Sequence, residues 1–177
     1  MIYRFQLILF FVLIIGFQSC SYKKDGGETK SLNLDQVNEK LLKANKVAIE
    51  FERKQIDKLI DSSGWNMQVT ATGLRYEIIE NGNGTKAETG KLARFEYETK
   101  LITGKIVYSS ALTGPKEFRI GSGGVESGLE EGILLLQAGD KARFVIPSFL
   151  AHGLSGDQDK IPPKATLIYT IKLIELE

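Results

Sequence analysis

The stretch Ala93-Arg94-Phe95-Glu96-Tyr97-Glu98-Thr99-Lys100 decides the fold. Ala93, Phe95, Tyr97 and Thr99 alternate with charged Arg94, Glu96, Glu98 and Lys100. Successive side chains of a strand point to opposite faces, so this period of two predicts a strand with one buried and one wet face. The pattern returns at Ala142, Phe144 and Ile146, and again at Leu167, Tyr169, Ile171 and Leu173. Upstream, Leu74-Arg75-Tyr76-Glu77-Ile78-Ile79 reads as another strand, closed by the turn residues Asn81-Gly82-Asn83-Gly84. Two further strands are expected at 105–109 and 117–120.

One helix interrupts the strands. Ser127 with Glu130 fits a capping box, Leu129, Ile133 and Leu136 form the apolar face, and Gly139 ends it. Gly121, Gly123 and Gly124 just before it are not followed by the lysine and hydroxyl residue of a phosphate loop, so they read as a turn. Together these elements predict an α+β domain over 68–177, a curved antiparallel β-sheet wrapped on one short amphipathic helix.

A helical segment, 33–64, precedes that domain. Asn33 and Gln36 fit a capping box, and Val37, Leu41, Ala44, Ala48 and Phe51 recur at three- and four-residue spacing. Ile49, Ile56, Leu59 and Ile60 extend the stripe, Glu50 and Lys54 sit at the favourable i,i+4 spacing, and Asp61-Ser62-Ser63-Gly64 stops it. This is one long helix, or two broken near Phe51. Its stripe is expected to pack on the domain that follows; because heptads are absent, a homodimer through 33–64 is the second choice.

Arg4 is followed by an apolar run from Leu7 to Phe17, too short for a bilayer core that needs roughly 20 residues, so 1–19 reads as a signal peptide. Phe17-Gln18-Ser19-Cys20 resembles a lipobox, with Phe17 in place of the usual aliphatic residue. Acylation of Cys20 would attach the chain to a membrane, and the polar stretch 20–32 would serve as a flexible tether. The expected location is the cell envelope, lipid-anchored at the outer membrane and facing the periplasm.

Composition excludes other functions. The chain has 177 residues, 42% apolar and 25% charged, with a formal net charge of +1. Removing 1–19 takes away only Arg4 and leaves the charges balanced, so nucleic acid is not an expected partner. A single cysteine permits no internal disulfide. With only one histidine as well, most nucleophile–base and metal-ligand sets are excluded, and no metal or cofactor is expected.

Several blocks, in order, resemble the FKBP-type peptidyl-prolyl cis–trans isomerases. They are Thr72-Gly73-Leu74-Arg75-Tyr76; Leu101, Gly104 and Tyr108-Ser109-Ser110; Phe118-Arg119-Ile120-Gly121; and Gly128-Leu129-Glu130-Glu131-Gly132. The strongest follow: Gly139-Asp140-Lys141-Ala142, Ile146-Pro147, Leu150-Ala151-His152-Gly153, Ile161-Pro162-Pro163 and Ala165-Thr166-Leu167. The sequence also resembles FKBP-type lipoproteins associated with gliding motility.

The resemblance implies an apolar pocket in which an X–Pro bond rotates. Tyr97, Phe118, Val125, Ile161 and Tyr169 fall where the family places walls, and the Glu126 N–H where it bonds a ligand carbonyl. There are departures. Val107 replaces the usual phenylalanine, Tyr108 an aspartate, Leu129 the tryptophan of the floor, Lys116 an aromatic residue, and His152 the tyrosine whose hydroxyl donates to substrate. The ring N–H of His152 is the expected replacement donor. The implied function is isomerisation of proline-containing polypeptide clients in the envelope; the alternative is a weakly active or inactive FKBP-like chaperone or assembly module.

Overall fold

A computed structural model describes residues 33–177; the expected signal peptide, Cys20 and the tether lie outside the described residues. The elements in order are α1 (Leu34–Ser63), β1 (Gln68–Val69), β2 (Arg75–Glu80), β3 (Leu92–Leu101), β4 (Ile106–Ser109), α2 (Ser110–Thr113), β5 (Lys116–Arg119), α3 (Ser127–Leu134), β6 (Lys141–Ile146), a 3-10 turn (Ser148–Leu150) and β7 (Leu167–Leu176).

The seven strands form one antiparallel sheet in the order β1-β2-β6-β7-β3-β4. β5 pairs with the first half of β3 and β4 with its second half. The deciding stretch is thus the long strand β3, hydrogen-bonded to β7 from Ala93↔Leu176 to Leu101↔Leu167. Its inward set is the one read from the alternation: Ala93, Phe95, Tyr97 and Thr99 are buried. The predicted inward residues of β6 and β7 are buried with them. Each large apolar side chain so buried contributes about 1.5–3 kcal/mol. α3 covers this face through Leu129, Ile133 and, just past its end, Leu136. Gly132 lets the helix approach, since a Cβ there would meet the Phe144 ring at 2.7 Å.

Two sequence expectations for α3 are corrected. Ser127 does not cap the helix; Glu126 is the N-cap residue, and the Ser127 hydroxyl donates to the Leu150 carbonyl instead. Glu130 accepts the Gly121 N–H at 2.5 Å, tying the glycine turn to the helix rather than closing a capping box. The helix also ends at Leu134, before Gly139, because Leu135 and Leu136 close a tighter last turn onto Gly132 and Ile133.

α1 is one continuous helix of 30 residues, capped by Asn33, whose side chain accepts the Asp35 N–H at 3.1 Å. Only its last turns use the apolar stripe. Ile56 is buried with Val145 and Ile168 on the outer face of the sheet, with Leu59, Ile60, Trp65 and Met67 around them. Leu41, Ile49 and Phe51 are exposed, so the expectation that the whole stripe packs on the domain is corrected.

Polar anchors complete the seam. Glu52 accepts from the Ser148 N–H at 2.7 Å, the Ser148 hydroxyl at 2.9 Å and the Thr166 hydroxyl at 2.6 Å. Arg75 pairs with Asp57 at 2.8 Å, and the Arg143 guanidinium lies 4.3 Å from the centre of the Trp65 ring. Replacing Glu52 by alanine strands three donors and is expected to lower stability by about 2–3 kcal/mol, with Glu52→Gln losing less. Urea melts of both variants check this.

Candidate active site

The ten candidate positions come from five separate elements and the loops beside them. Tyr97 (β3), Val107 (β4), Phe118 (β5), Leu129 (α3), Ile161 (the loop before β7) and Tyr169 (β7) are all buried in one cluster, with Tyr108 and Val125 packed against it. The aromatic members touch in series. Phe95 stands perpendicular to Phe118 with centroids 6.0 Å apart, and lies 5.9 Å from Tyr97, which lies 6.4 Å from Tyr169. Lys116, standing where the family has an aromatic residue, places its Nζ 4.9 Å from the centre of the Tyr97 ring. The Tyr97 hydroxyl is shared with Thr113 at 3.3 Å, so α2 closes one side.

Glu126 is where the structure differs most from the sequence reading. Its side chain, given no role there, receives the Tyr169 hydroxyl at 2.8 Å on Oε1, and His152 Nε2 lies 2.9 Å from the same oxygen. His152 Nε2 therefore faces the Glu126 carboxylate. Burial, then the Glu126 charge, holds the Tyr169 hydroxyl well above its ordinary pKa, so it stays a neutral donor. Among the described residues the Glu126 N–H donates to no protein acceptor, as the start of a helix leaves it.

A second polar link sets the loop 153–163. Asp157 Oδ1 accepts the N–H groups of Asp159 at 2.9 Å and Ile161 at 2.7 Å, while Oδ2 accepts the Tyr108 hydroxyl. Tyr108 also reaches Asp159 at 3.2 Å, and Lys160 lies 4.9 Å above its ring. Thus the hydroxyl sits on the strand and the carboxylate on the loop. Sequence reading missed Asp157; the signal was its Asx-turn setting in Ser155-Gly156-Asp157-Gln158, where aspartate bonds its own downstream backbone.

Burial pushes the Asp157 carboxyl up, but the Tyr108 hydroxyl and the two backbone N–H groups outweigh it and hold it at about 2. The same link raises Tyr108. A carboxyl depressed on folding stabilises above its unfolded pKa, so this contribution is in place above about pH 4 and is lost as pH falls through about 2. Acidification across that window is expected to release the Ile161 amide to hydrogen exchange, and Asp157→Asn to remove the acid dependence.

A separate apolar groove of about 610 Å³ lies between α1 and the 148–166 region, lined by Phe51, Phe149, Leu154 and Pro162 among others. Its central carboxylate, Glu52, is already satisfied. It contains none of the ten candidate residues.

The site is thus an aromatic wall on the inner face of the antiparallel sheet, beside a helix-start N–H that has no protein acceptor among the described residues. Residues 83–174 match the family of the FKBP-type peptidyl-prolyl cis-trans isomerase, and the chain belongs to that family. It is 40% identical over 111 residues to a probable FKBP-type isomerase, FkpA, of Neisseria meningitidis, covering 62% of this chain and 40% of that protein. It is 31% identical to a probable FKBP-type isomerase of Haemophilus influenzae, covering 81% of this chain and 61% of that one. The chain therefore spans only part of the length of these relatives. The crystal structure of a peptidyl-prolyl isomerase from Pseudomonas syringae superposes with a TM-score of 0.64 at 30% identity, covering 75% of this chain and 95% of that one.

Proposed function

We propose that the chain is a prolyl isomerase acting on proline-containing polypeptides, through the surface formed by Tyr97, Phe118, Val125, Glu126, Leu129, His152, Ile161 and Tyr169. The observation that carries this is the free Glu126 N–H beside the Tyr97–Tyr169 aromatic wall, in a chain of this family. Rotation about a peptide bond meets a barrier of roughly 18–20 kcal/mol, because the planar amide is resonance-stabilised. X–Pro exchange is slow enough to limit folding. The twisted amide has lost resonance and is less polar, so a site that strips water from it favours the twisted form. Phe118, Ile161, Val125 and Leu129 would take the proline ring. The Glu126 N–H would hold a flanking carbonyl, and no proton transfer is required.

The lipobox-like Phe17-Gln18-Ser19-Cys20 supports an envelope location, with Cys20 lipid-attached and the domain carried on α1. Polypeptides folding there would be the clients, and 33–64 would support pairing of two chains through the exposed Leu41, Ile49 and Phe51. The test is refolding of a protein whose slow phase is limited by X–Pro exchange. Catalytic amounts of the chain accelerate that phase if the reading holds; an unchanged rate with folded protein leaves only a binding module.

A further inference from the structure

We infer that the Glu126 carboxylate makes this site selective for prolyl segments carrying lysine or arginine next to the proline. The inference rests on the isomerase reading and names its substrate class. A short aspartate at a helix N-cap turns back to accept an N–H of the first turn, whereas the longer glutamate is free to reach elsewhere. Glu126 makes no such bond. It is instead turned onto the aromatic wall, where its side chain is 13% exposed and both neighbours, the Tyr169 hydroxyl and His152 Nε2, converge on Oε1.

That convergence leaves the other oxygen. Among the described residues no donor reaches Oε2, and the one fully buried side-chain polar atom without a partner is Thr99 Oγ1. Oε2 is therefore not sealed in the core, and its acceptor capacity is unused among the described residues. A carboxylate largely withdrawn from water attracts a cation more strongly than a fully exposed one does, because water and salt screen it less.

Other charges nearby do not cancel this. Asp157 is occupied by Tyr108 and two backbone N–H groups. Lys116 and Lys160 each lie 4.9 Å from a ring centre, of Tyr97 and Tyr108, and form the opposing influence, one that would favour acidic peptides. Both ammonium groups sit on rings, whereas Glu126 adjoins its own N–H, the group that holds the substrate carbonyl. A lysine or arginine flanking the proline reaches Oε2 from there; an aspartate or glutamate meets like charge.

The test uses the full chain, one peptide framework carrying Lys-Pro, Arg-Pro, Leu-Pro or Glu-Pro, and the same residues placed after the proline. Values of kcat/KM are measured for wild type, Glu126→Gln and Glu126→Ile, with peptide binding by calorimetry alongside. Wild type is expected to prefer the cationic over the acidic peptide by about tenfold, a ratio that shrinks with salt and falls to within about twofold in both variants. An equal ratio in wild type and Glu126→Gln overturns the inference, as does a preference for the acidic peptide, which would put Lys116 in control. If wild type isomerises none of the peptides, the isomerase reading fails. The binding ratios then decide the charge preference by the same criteria.

Discussion

Replacing Gly156 by alanine is expected to lower the melting temperature by about 6–12 °C, from a loss of about 3 kcal/mol in a domain of this size. Two costs combine. Gly156 has φ +66°, a left-handed conformation that costs a residue with a Cβ about 1–2 kcal/mol. The new Cβ would also stand 2.2 Å from the Ile161 carbonyl oxygen and 2.8 Å from the Pro162 carbonyl carbon, both backbone atoms that cannot swing aside. The loop must move, and it carries Ile161 and the Asp157 link to Tyr108. Isomerase activity is therefore expected to fall about tenfold or more, since small displacements of positioning groups are costly in rate. Calorimetry with an activity assay on the same preparation checks both. Unchanged melting with lost activity would show that the loop moves without strain.

Tyr169→Ala has the second large effect. The ring is buried beside Tyr97 on the inner face of the sheet, and truncating a buried aromatic residue costs about 3–5 kcal/mol. It also removes the donor that fixes Glu126. Tyr169→Phe separates the two roles: it keeps the ring and leaves Glu126 Oε1 to His152 alone. The expected order of kcat/KM is wild type above Tyr169→Phe above Tyr169→Ala. Equal activity of wild type and Tyr169→Phe would mean that the hydroxyl does not position Glu126.

The fold was legible where burial imposes a period. β3, β6 and β7 each have one inward face, and alternation marked their inward residues because a slip by one residue would turn every apolar side chain outward. The outer face was not legible. Val145 on β6 and Ile168 on β7 are buried there by the end of α1, and one outward residue covered on each strand leaves no periodic signal. α1 misled for the opposite reason: a stripe at helical spacing predicts a face but not what covers it, and only Ile56 with its nearest neighbours found the sheet. Of the site, the resemblance supplied the wall positions. It did not supply the wiring of Glu126, His152 and Tyr169, which depends on side chains from three elements distant in sequence meeting at one oxygen. Nor did it show that Tyr108 and Asp157 form the bond that holds the loop.

The most direct test of the central claim is exchange spectroscopy on a proline-containing peptide with substoichiometric amounts of the folded full chain. Cis–trans exchange is expected to quicken in proportion to the protein added, and the acceleration to be lost in folded Tyr169→Ala. Exchange at the uncatalysed rate, with wild type folded and present, would contradict the claim.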